Sequence, residues 1–266
     1  MMTSFYGILL EGFLFAAAAG LVYGIFGSGS GLFLMPGFYF LLRRFPMSSG
    51  YQMQVAVATT ILTSAVLGIS PVLVQWKRQH IDFTLVKNLI YGLLTGTIIA
   101  VILLNTLSSD FLKRAFGVVV ILVALWLWFY QQEKDKKQWS LSSWGNYLWT
   151  AVIGLLWFLL GVAVFTVPYM HKCGVDMRRA VGTNTFVATV CSAIAGILVM
   201  ATSVFHIGVS AKHIGFVNIP LFLIAIIPSS VAAYVGAKIT VKLPQKQLKK
   251  IYAALIFIIG VIMLVA

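Results

Sequence analysis

Charge is what this sequence has least of. Of 266 residues, 19 are Lys or Arg and 6 are Asp or Glu, which is 9% of the chain, against about 25% in an ordinary soluble domain. Such scarcity excludes a water-soluble globule, whose surface must be clothed in polar side chains. Cysteine is nearly missing too. Cys173 and Cys191 lie eighteen residues apart, Cys191 well inside an apolar run, so at about 1.5 Å per helical residue they are too distant to pair. The four histidines, His80, His171, His206 and His213, sit singly at the ends of apolar runs. Interfacial or capping roles suit such positions better than metal binding, so no metal or other cofactor is expected. Basic residues never form a patch interleaved with aromatics, and the net charge of +13 is therefore not read as a nucleic-acid surface. The N-terminal segment lacks the basic region of a cleaved signal and is read as retained.

What the chain has in abundance is apolar length. It is 61% hydrophobic, with a mean hydropathy of +0.99. Apolar runs near 5–42, 54–75, 84–107, 112–130, 146–170, 180–203, 214–237 and 248–266 each approach or exceed the roughly 20 residues that cross a bilayer as a helix. The expectation is an all-α polytopic membrane protein of about eight crossings, embedded in a lipid bilayer. The first run is anomalous, because 38 residues as one straight helix would reach about 57 Å. It must break or fold back. The alternating glycines Gly27, Gly29 and Gly31, followed by Pro36, mark the place. Counting that run as one crossing puts Arg43, Arg44, Lys113, Arg114, Lys172, Arg178, Arg179 and the lysines from Lys238 to Lys250 on one side, twelve of the nineteen basic residues. The positive-inside rule then leaves both termini and the 131–143 linker outside. Trp126, Trp128, Trp139, Trp144, Trp149 and Trp157 read as interfacial anchors.

The two halves answer one another. Ala56-Val57-Ala58-Thr59 matches Ala180-Val181-Gly182-Thr183, His80-Ile81-Asp82-Phe83 matches His213-Ile214-Gly215-Phe216, Pro36 matches Pro168, and Leu112-Lys113-Arg114 matches Leu248-Lys249-Lys250, at offsets of 124 to 136 residues. The reading is a first transmembrane repeat over 1–130, a polar linker over 131–143 and a second repeat over 144–266. Four crossings in each would give both repeats the same orientation.

In lipid, broken helix survives only where its freed N–H and C=O groups are buried in protein or line a cavity. The stretch Gly27, Gly29, Ser30, Gly31 and Pro36 is therefore the first candidate site. Freed N–H groups at a helix start, with the dipole behind them, suit an anion. Thr59 and Thr60, matched by Thr183 and Asn184, add uncharged donors at repeat-related places. Glu11 is the one acid well inside an apolar run and the one candidate for coupling to an ion gradient. An intramembrane hydrolase built on Ser28 or Ser30 would need a base within about 3 Å, and no histidine lies inside a crossing run. The expected partner is a small anion, with no nucleic acid involved. With so little intramembrane acid, passage is expected to follow the membrane potential outward, since an anion leaving a negative interior gains roughly 2.3 kcal/mol per 100 mV. Proton- or sodium-coupled uptake of a similar anion is the alternative.

The glycine-rich element ending in Pro36, the repeated Ala-Val-x-Thr segment, the His-Ile-Asp-Phe connection and the final Leu-Lys-Lys-Ile-Tyr-Ala-Ala-Leu helix together resemble the TauE/SafE sulfite exporter family. Ser30 stands within the glycine run where that family usually has three adjacent glycines. The resemblance implies a permease of the inner membrane that moves sulfite, a sulfonate or a related organosulfur anion.

Overall fold

A computed structural model describes residues 2–44, 50–129, 143–161, 165–210, 212–239 and 245–265. Their secondary structure is helical apart from one short hairpin: α1 (Met2–Phe26), α2 (Gly31–Arg43), α3 (Gln52–Leu67), α4 (Ile69–Lys77), α5 (Phe83–Thr106), α6 (Ser109–Phe129), α7 (Ser143–Leu160), α8 (Thr166–Lys172), α9 (Met177–Ile207), β1 (His213–Ile214), β2 (Val217–Asn218), α10 (Ile219–Ile239) and α11 (Gln245–Val265). The strands pair antiparallel, His213 opposite Asn218. Among the described residues, five segments are long and apolar enough to cross a membrane by length and composition: Gln52–Lys77, which joins α3 and α4, then Phe83–Thr106, Ser109–Phe129, Met177–Ile207 and Ile219–Ile239. Their outward faces carry exposed Ile98, Ile102, Leu122, Ile197, Leu223 and Ile227, while Leu93, Ala100, Phe116, Val120, Val199 and Ala225 of the same helices are buried. A helix apolar on both faces belongs in lipid.

The first apolar run does not make one crossing. Gly27 and Gly29 adopt φ of +73° and +93°, the left-handed region in which glycine alone carries no Cβ penalty. After them α2 turns back along α1. Arg44 pairs with Glu11 at 3.0 Å, and Gly37 lies so close to Phe15 that a Cβ there would meet the ring at 2.8 Å. Pro36 does not break the chain and lies inside α2. The run at 146–170, also expected to cross once, breaks at Gly161 with φ of +64°. It too returns, since the Tyr169 hydroxyl donates to Asn146 Oδ1. Hydropathy measures how much chain the lipid can accept but not its direction, so two antiparallel arms read like one long run.

This fold-back changes the relation between the halves. α3 and α9 pack antiparallel, Gly196 against Leu62 and Thr189 beside Gly68. So do α6 and α11, with Gly117 against Gly260 and Leu264, and Gly260 against Ile121. α1 instead runs parallel to α10, Gly12 beside Ile224, Gly20 beside Ser229 and Gly24 beside Ala233, as α5 runs parallel to α7, Gly92 beside Tyr147 and Gly96 beside Ala151 and Leu155. Sequence-matched helices thus point in opposite directions, and the expected common orientation does not hold. Nor do the expected sides: Arg43, Arg44, Lys113 and Arg114 share an end of the bundle with the start of α1 and the end of α11. The end of α6 and the start of α7 lie at the other end, with Lys172 and Lys238.

The hairpin tips meet where a Cβ on Gly31 would stand 2.8 Å from Gly161 Cα. Backbone cannot yield as a side-chain tip can, so Gly31→Val should lower the stability of the folded bundle by about 1–3 kcal/mol. Thermal unfolding of the detergent-purified protein reads this, with unchanged membrane insertion as the control.

Candidate functional site

Beneath the crossing of the two hairpins lies a small cavity lined by Tyr23, Ser30, Gly31, Met35, Thr60, Ile61, Ser64, Thr97, Trp157, Phe158, Gly161, Cys191, Ser192 and Ala195. Its free volume, about 20 Å³, accommodates little more than one water. Both hairpins, α3, α5 and α9 contribute to its wall. The N-terminus of α2 opens onto it at Ser30 and Gly31, bringing the positive end of a thirteen-residue helix dipole. No charged side chain lines it among the described residues.

The hydroxyl accounting along the wall separates groups already committed from one that is enclosed and uncommitted. Ser64 Oγ donates to the Thr60 carbonyl at 2.8 Å, so its 2.8 Å contact with Ser30 Oγ is a bond that Ser30 donates. Both serine protons are therefore spent within the wall. The Tyr23 hydroxyl reaches Thr189 Oγ1 at 3.0 Å, and Thr189 in turn donates to the Thr185 carbonyl at 2.8 Å. Thr60 is different. It is buried, 2% exposed, and its Oγ1 has no hydrogen-bond partner. An unsatisfied buried hydroxyl costs about 1–3 kcal/mol, and this one belongs to a residue of the cavity wall.

Of the residues singled out in sequence, Ser30, Gly31 and Thr60 line the cavity, whereas Gly27, Gly29 and Pro36 shape the hairpin behind it. Thr59 and Thr183 are both fully buried and do a matched job elsewhere. Thr59 Oγ1 accepts the Asn218 N–H at 3.0 Å, and Thr183 Oγ1 accepts the Asp82 N–H at 3.0 Å. Asp82 is the N-cap of α5, accepting from Thr84 and Leu85, and Asn218 caps α10 by accepting from Leu221. Each half thus clasps the start of a long helix in the other. Asn184 donates to the Gly27 carbonyl at 3.2 Å, and its Oδ1 is left without a partner. Glu11 sits with Arg44 at the open end of the first hairpin, away from the cavity, and such exposed pairs contribute about 0–1 kcal/mol.

Tyr23, Ser64, Thr97, Trp157, Cys191 and Ser192 were not singled out as site residues. Ser64 had a legible signal, standing one helical turn after Thr60. Trp157, expected at an interface, faces the cavity instead.

A family model described as Sulfite exporter TauE/SafE matches residues 12–263. The chain belongs to this sulfite exporter family. A probable membrane transporter protein of Haemophilus influenzae is 23% identical over 258 residues, covering 93% of this chain and 95% of that one. One of Methanocaldococcus jannaschii is 23% identical over 265 residues, covering 97% and 94%. No solved structure matches. This family member is accordingly a multi-pass membrane transporter rather than an enzyme in the usual sense.

The clasps carry the two histidines of the matched connections. Asn218 Oδ1 accepts from Leu221, so its Nδ2 is the atom donating to His213 Nε2 at 3.2 Å. His213 is therefore neutral, with its proton on Nδ1. Burial, then the nearby Lys212 ammonium, lowers its pKa from 6.5. Burial and then Arg78 foremost among the charges lower that of His80. A group that resists protonation in the fold contributes stability above its unfolded pKa and loses it as pH falls. The purified protein should therefore melt at a lower temperature as pH drops below about 6.5, and a His80→Asn/His213→Asn variant should show a flatter pH profile.

Proposed function

We propose that this protein is a permease for a small anion such as sulfite, a sulfonate or a related organosulfur compound, working by alternating access around the cavity beneath the crossed hairpins. The observation that carries the reading is the Thr60 hydroxyl, buried without a partner on a residue of the cavity wall that the N-terminus of α2 also lines. A donor left unpaired in the closed protein is satisfied when an anion arrives. The cavity is too small for an oxyanion as it stands, so it corresponds to a closed intermediate. Opening to either side requires the two halves to rock about the Gly31–Gly161 crossing, releasing one Thr-to-N-cap clasp while the other holds. Antiparallel packing of matched helices supports an inverted pair of repeats, an arrangement suited to such rocking.

The corrected course of the chain supports a proposed orientation. Fourteen of the nineteen basic residues fall in or beside the connections shared by Lys77, the 131–143 linker, Lys172 and Lys238, and five fall at the other end. The positive-inside rule places the fourteen in the cytoplasm, leaving both termini outside an inner membrane. A thiol introduced by Ser210→Cys should react with an impermeant reagent added to intact cells, and one introduced by Ser140→Cys should react only after permeabilisation.

Transport itself is tested in proteoliposomes with an imposed potassium-diffusion potential. Sulfite or methanesulfonate flux should follow the sign of the potential and persist without a proton or sodium gradient. Flux that stops when either gradient is collapsed would replace this reading with coupled uptake. Thr60→Val should abolish flux while leaving thermal stability equal or higher, because valine keeps the shape and removes an unsatisfied hydroxyl.

A further inference from the structure

We infer that the site accepts monoanions and rejects dianions of the same size. The inference rests on the permease reading above and adds the charge class of the substrate. Its basis is the composition of the cavity wall. The polar residues of the wall are neutral: Thr60 of α3, whose hydroxyl has no partner, with Thr97 of α5 and Ser192 of α9. Met35, Ile61, Trp157, Phe158 and Ala195 supply apolar surface between them.

Full positive charge is far away in sequence on every element that contributes. Neither hairpin arm carries a lysine or arginine before Arg43 in the first or Lys172 in the second. On α5 the nearest is Lys87, ten residues before Thr97 and hence about 15 Å along the helix. On α9 it is Arg179, thirteen residues before Ser192. The positive field that reaches the cavity is that of the α2 N-terminus, worth about half an elementary charge.

Half a charge and a few hydroxyls can offset the desolvation of one negative charge but not of two. The cost of moving an ion from water into a medium of low dielectric grows with the square of its charge, so a dianion pays roughly four times what a monoanion pays. The attraction of a fixed dipole grows only linearly with charge. A neutral wall therefore discriminates by charge even where two oxyanions share a shape. A transporter built for dianions would place an arginine or lysine at the site.

The experiment uses the intact protein in proteoliposomes, with protein-free vesicles to subtract passive leak. Three probes are compared at equal concentration: methanesulfonate, a monoanion throughout; sulfate, a dianion throughout; and sulfite, which passes from hydrogen sulfite to the dianion between about pH 6 and pH 8.5. Methanesulfonate corrects each flux for any effect of pH on the protein. The expected result is protein-dependent methanesulfonate flux, sulfate flux at background, and a sulfite-to-methanesulfonate flux ratio that falls about tenfold per pH unit above the second ionisation of sulfite. Sulfate moving as fast as methanesulfonate, or a ratio that is flat or rises with pH, overturns the inference while leaving the anion permease standing. Protein-dependent flux of none of the three overturns both.

Discussion

The rest of the structure depends on one constraint: in hydrocarbon, a backbone N–H or C=O without a partner has no water to turn to. Regular helices meet the constraint by themselves, so the places that break helix must be enclosed by protein. Here both breaks fall at hairpin tips, one at Gly27 to Ser30 and one beginning at Gly161, and the tips lie against each other. The chain answers the loss of helical partners with contacts drawn from other elements. Asn184 takes the Gly27 carbonyl, the Ser30 and Ser64 side chains tie the tip to α3, and Gly31 and Gly161 approach with no side chain between them. The cavity is a by-product of that arrangement, because two tips that meet at their backbones leave side-chain-sized space beside them.

The clasps extend the same logic to the bundle ends. A helix start exposes N–H groups that need acceptors, and α5 and α10 obtain theirs partly from their own caps and partly from a threonine of the opposite half. Sequence recurrence of the Ala-Val-x-Thr segment is thereby explained without assigning either threonine to substrate. What recurs is the need to seat one half on the other, at one end of the bundle through Thr59 and at the opposite end through Thr183. Two equivalent seats thus stand at opposite ends of the bundle, with His80 and His213 beside one each.

Much of this was legible from the residues. The lipid environment, the helical class and the break at the alternating glycines followed from hydropathy and backbone chemistry, which also drew attention to Ser30, Gly31 and Thr60, now found on the cavity wall. The direction of the chain after the break did not, because composition is blind to whether Gly37 lies beyond Phe15 or beside it. That one missing fact propagated: a hairpin counted as a crossing reverses the parity of each half, turning opposed helices into co-oriented ones and placing Arg43, Arg44, Lys113 and Arg114 at the opposite end from both termini. Glu11 and Arg44 carried the correction in plain sight, since an acid inside an apolar run is best placed beside a base, and only a fold-back brings Arg44 within 3.0 Å of it. The cavity residues Thr97, Trp157 and Ser192 had no such signal, as each is an ordinary residue on a long helix until its neighbours are known.

The match between the halves is imperfect at the one position where function would demand asymmetry. Thr60 and Asn184 occupy equivalent places one residue after the clasping threonines, and each leaves one polar atom without a partner. Their remaining capacity differs in sign. Asn184 has committed an N–H to the Gly27 carbonyl and is left with a bare acceptor, while Thr60 is left with a hydroxyl that can donate. An anion can satisfy the second but is repelled by the first. A single bound anion between two pseudo-equivalent halves needs a donor on one side and no competing donor on the other, or it would have two half-sites of equal depth. On the permease reading, the threonine-to-asparagine divergence resolves that degeneracy: the free donor stays with Thr60, and Asn184 braces the tip at Gly27.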